Sequence, residues 1–63
     1  MSDWVAFNSD GFPIAFADPS YTMAKFAKYA GPNAVEIRHT EGDERIRLLK
    51  IHAGCDPDQP WPS

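Results

Sequence analysis

The sequence predicts a small α+β fold of order ββαββ, one helix packed on a largely antiparallel sheet of up to four strands. Three observations carry that reading. A single segment, Asp18 to Gly31, has helix-start and helix-stop residues around an apolar stripe of helical period. On either side lie β-rich stretches, each broken by an acidic turn containing glycine. The chain is also 43% hydrophobic, with four Phe, two Tyr and two Trp, which is too apolar for a disordered polymer.

Residues Met1 to Asp3 are expected to fray. Trp4-Val-Ala-Phe-Asn8 has the aromatic and β-branched content of a strand. Ser9-Asp10-Gly11 follows as a tight turn, because Asp-Gly supplies the positive φ that hairpins need. Phe12 to Ala17 returns as the second strand, with Phe12, Ile14 and Phe16 on one face. Pro13 lacks a ladder donor and therefore belongs at a strand start or on an edge.

Asp18 is read as the N-cap of the helix and Pro19 as its first residue. Gly31 closes it in a left-handed conformation, and Pro32 blocks continuation. Met23, Phe26, Ala27 and Ala30 recur at i, i+3, i+4 and i+7, so all four are expected beneath the helix. Tyr21, Lys25 and Lys28 line its outer side, with Tyr29 on the flank.

A second hairpin is expected beyond Asn33. In Ala34 to Thr40 the alternation sets Val35 and Ile37 against Glu36 and Arg38. Glu41-Gly42-Asp43 makes the turn, and Glu44 to His52 the return, with Ile46 and Leu48 inward. Leu49 and Ile51 then fall in the opposite phase, read as a bulge or a covered strand end. Residues 1–54 thus form one domain. Residues 55–63 hold three prolines without periodicity and form an extended tail anchored by Trp61.

With 63 residues, a single cysteine and a net charge of −3, the chain has no internal disulfide and little affinity for polyanions. No apolar run nears a membrane span or a signal peptide, so a soluble, cytoplasmic protein is expected. His39, His52 and Cys55, with scattered carboxylates, are the zinc ligands on offer, and their spacing matches no zinc pattern. A nucleophilic Cys55 would need His52 as base and a concave site. The chain has no phosphate loop and no HExxH. No enzyme activity, metal or cofactor is expected.

The candidate contact residues are Trp4, Tyr21, Arg38, Arg45, Arg47 and Trp61. With Val35, Ile37, Ile46 and Leu48 under the helix, Trp4 and the three arginines share the open face of the sheet. Arginine and tryptophan favour protein interfaces, and the same mixture can stack and neutralise single-stranded nucleic acid. The leading expectation is a non-catalytic protein-binding module acting stoichiometrically. The alternatives are an RNA- or single-stranded-DNA-binding protein using that face, and a homodimer formed through strand edges. In size and charge alone, the chain resembles the inhibitors that phages and mobile elements aim at host nucleic-acid machinery, anti-CRISPR proteins among them. That likeness rests on no motif and carries no residue across.

Overall fold

A computed structural model describes residues 2–62 of the chain. Its order is ββαβα: β1 (Ser2–Phe7), β2 (Pro13–Ala17), α1 (Met23–Ala30), β3 (Glu36–Glu41) and α2 (Gly42–His52). The three strands form one antiparallel sheet of order β2-β1-β3, so β1 is central. The predicted α+β class and antiparallel sheet hold. The predicted fourth strand is replaced by a second helix.

β1 and β2 form the hairpin expected around Asp10-Gly11. Gly11 has φ +79°, and the Asn8 side chain accepts the amides of Asp10 at 2.9 Å and Phe12 at 3.0 Å. Pro13 begins β2, on the sheet edge, as its missing donor requires. Register slips between Ala6 and Phe7: their partners are Ala15 and Pro13, leaving Ile14 as the extra residue. Ile14 and Phe16 consequently pack into different clusters instead of sharing one face. Ser2 and Asp3 belong to β1 and are not frayed. Met1 lies outside the described residues, as does Ser63 of the tail.

α1 starts four residues later than the sequence suggests. The Asp18 carboxylate accepts the Ser20 amide at 2.8 Å, and the Asp18 carbonyl accepts the Tyr21 amide at 3.1 Å. This local turn competes with helix nucleation. Thr22 is the true N-cap, its hydroxyl accepting the Lys25 amide at 3.2 Å. Gly31 ends the helix at φ 90°, as predicted. Of the four stripe residues, Phe26 is fully buried and Ala30 half-buried, whereas Met23 and Ala27 are exposed.

The change of phase at Leu48-Leu49 is a helical period and not a bulge. Leu48 and Ile51, three positions apart, pack on the sheet from α2, with Arg45 and Leu49 half-buried beside them. Gly42, at φ +63°, turns the chain sharply out of β3, and Glu41 caps the helix without a side-chain hydrogen bond. Asp43 and Glu44 in the first turn and Lys50 and His52 in the last complement the helix dipole.

One helix lies on each face of the sheet. Trp4 and Ala6 pack with Phe26 under α1, joined by Ile14, Ala17, Ala34 and Ile37. Val5 and Phe7 pack with Leu48 under α2, joined by Phe16 and Ile51. The central strand is therefore buried on both sides, which explains its continuous apolar run. Val35 and Ile46, expected inside, are exposed.

Candidate partner-binding faces

Helix α1 carries an aromatic array rooted in the core. The Trp4 ring stacks on Phe26 at 6.2 Å, and its Nε1–H donates to the Tyr21 carbonyl at 2.7 Å. Tyr29 also stacks with Phe26 at 6.2 Å, and Tyr21 meets Phe26 edge-on at 6.5 Å. The two tyrosines stand 6.2 Å apart. Buried Phe26 thus supports a rim of exposed side chains: Tyr21 is 40% exposed, Met23 55% and Tyr29 64%. Lys25 and Lys28 flank this rim, and neither enters an ion pair among the described residues. His39 lies against Trp4, ring centres 3.7 Å apart.

The α2 side is electrostatically closed. Each of the three arginines meets a carboxylate: Arg38 with Glu44 at 2.8 Å, Arg45 with Asp3 at 2.7 Å, Arg47 with Asp58 at 2.7 Å. Arg38 also lies over the Phe7 ring at 4.8 Å. Its hydrogen bond to Glu44 holds the guanidinium even more firmly protonated than usual. The tail folds back here, with Lys50 donating to the Gln59 carbonyl at 2.6 Å and lying 5.7 Å from the Trp61 ring centre.

The six predicted contact residues therefore divide into two groups. Trp4 and Tyr21 come together on the α1 side, one buried and the other exposed, while Arg38, Arg45, Arg47 and Trp61 gather around α2. The open sheet face expected to unite Trp4 with the three arginines does not form, because α2 covers it. Trp4 is buried and faces away from Arg38. Tyr29 and Met23, the most exposed large side chains of α1, fell outside that set. Met23 shares the helical spacing of Phe26, but it stands in the first turn of α1 and is exposed there.

His39 lies on the α1 side, whereas His52 lies at the end of α2, its Nδ1–H donating to the Pro13 carbonyl at 2.9 Å and its ring edge-on to Phe16. The cluster considered with Cys55 is thus not assembled. Among the described residues, no three His, Cys, Asp or Glu side chains stand together as metal ligands, and no cavity opens. No helix among the described residues is long and apolar enough to cross a membrane. Compared with family models, curated proteins and solved structures, the chain matches none.

Proposed function

We propose that this chain is a non-catalytic protein-binding module that presents the outer side of α1 to its partner. The observation that carries this reading is the exposure of Tyr21, Met23 and Tyr29 around buried Phe26. Tyrosine and methionine are enriched in interface cores, and rings already fixed by stacking lose little freedom on binding. Lys25 and Lys28 favour a partner whose rim is acidic. Host nucleic-acid machinery, the target class of anti-CRISPR-like inhibitors, remains the partner class to test first; its support is the small size and the net charge of −3.

A photo-crosslinking residue at position 29, with one at Asp10 as control, tests the assignment in lysate of a candidate host. The expected result is a discrete adduct from position 29 alone, competed by unmodified chain and not by a Tyr21→Ala/Tyr29→Ala variant. Equal adducts from both positions would count against α1 as the surface. Binding of a labelled oligonucleotide at low salt, lost in Lys25→Ala/Lys28→Ala, would replace the protein partner by single-stranded nucleic acid.

A further inference from the structure

The Pro-rich segment after α2 folds back onto the outer face of that helix. Gly54 reverses the backbone at φ +83°, and the Cys55 amide returns to the Lys50 carbonyl at 2.8 Å. The Asp56 carboxylate then accepts the Asp58 amide at 2.9 Å, and the Asp56 carbonyl accepts the Gln59 amide at 3.2 Å. This turn aims Asp58 at Arg47, the Gln59 carbonyl at the Lys50 ammonium, and Trp61 over the same ammonium. Arg47 and Lys50 are three residues apart and so share one side of the helix.

We propose that this side of α2 is a binding site for acidic segments with an aromatic residue three positions after the acid, and that the chain's own Asp58–Trp61 occupies it in cis. The chemistry is read from the seated segment: a carboxylate for Arg47, a carbonyl for Lys50, and a ring for cation–π contact. Pro57 and Pro60 limit the conformations such a segment must give up on binding. The cis contact is displaceable. Asp58 and Arg47 are 73% and 51% exposed at their side chains, and Trp61 is half-exposed, so water and salt compete for every contact. The occupant in trans is a partner protein's segment of this acidic–aromatic type. This proposal does not depend on the reading of α1.

The test uses the full-length, isotope-labelled chain and a synthetic peptide with the sequence of residues 56–62. In an Asp58→Lys/Trp61→Ala chain, whose tail no longer fits, the peptide is expected to shift the Arg47 and Lys50 amide resonances. Wild type should bind it about tenfold more weakly, because the tethered tail competes at roughly millimolar effective concentration. Adding Arg47→Glu/Lys50→Glu should abolish the response. A peptide with Asn for Asp and Ala for Trp should be inert. Equal binding by wild type and the opened chain, no binding to either, or binding that survives charge reversal would each overturn the proposal. A doubled mass of the wild type through exchanged tails would overturn the separate partner in favour of a second copy.

Discussion

The Trp4 indole N–H donates to the carbonyl of Tyr21 at 2.7 Å, tying the central strand to the turn that leads into α1. The same indole stacks on Phe26, so one side chain fixes both the height and the direction of the helix. Trp4→Phe keeps a ring and removes the donor. The expected loss is about 0.5–1.5 kcal/mol for the bond, plus the packing lost with the smaller ring. Chemical denaturation measures it, and an unchanged midpoint would show that the bond does not anchor the turn.

Phe26 and Met23 lie one helical turn apart and differ sharply in burial. Phe26→Ala is expected to cost about 3–5 kcal/mol, enough to unfold a domain of this size. Met23→Ala should change stability by less than about 0.5 kcal/mol. Thermal melts of the two variants decide whether the stripe is buried at a single point.

The three ion pairs are not equivalent. Arg45–Asp3 joins residues 42 positions apart and is largely sheltered, with side chains 31% and 16% exposed. A double-mutant cycle with Arg45→Met and Asp3→Asn should give a coupling of about 1–2 kcal/mol. The more exposed Arg38–Glu44 pair should give less than about 1 kcal/mol and lose it in high salt. Equal couplings would contradict this ordering.

Thr40 is buried in β3, and its hydroxyl has no hydrogen-bond partner among the described residues. Thr40→Val replaces that hydroxyl with a methyl group of similar size. Stability is expected to stay level or rise by up to about 1 kcal/mol. A clear loss would mean that the hydroxyl is satisfied in solution.

Asp18 sets the acid limit of the turn before α1. The Ser20 amide, and then its hydroxyl, hold the carboxyl below its ordinary value of 3.8. A carboxyl that ionises more readily in the folded state stabilises it above the ordinary value. That contribution fades as pH falls through the lowered one. A carboxyl-carbon NMR titration should place the Asp18 midpoint below 3.8, and an Asp18→Asn chain should lack this acid-dependent step.

Local chemistry made the hairpin and the end of α1 legible. Asp10-Gly11 and Gly31-Pro32 work through the φ angles they permit, with no help from distant residues. The start of α1 was misread because Asp18 serves a turn and a cap equally well, and only the next few residues decide. α2 resembles a strand in sequence because Ile46 and Leu48 alternate with arginines, whereas the pair that packs is Leu48 and Ile51, at helical spacing. The Asp3–Arg45 pair has no local signal, since the two residues stand 42 positions apart and meet only once the sheet is closed.

Placing β1 at the middle of the sheet has a consequence for the order of assembly. Trp4-Val5-Ala6-Phe7 precedes in sequence every element that pairs with it or covers it. The hairpin with β2 protects one flank early. The other flank stays bare until Glu36–Glu41 arrives, and its underside until α2 is made. Until Glu36–Glu41 pairs with it, β1 is both an open edge and an uncovered apolar strand, so a chain whose β3 cannot pair should self-associate through β1.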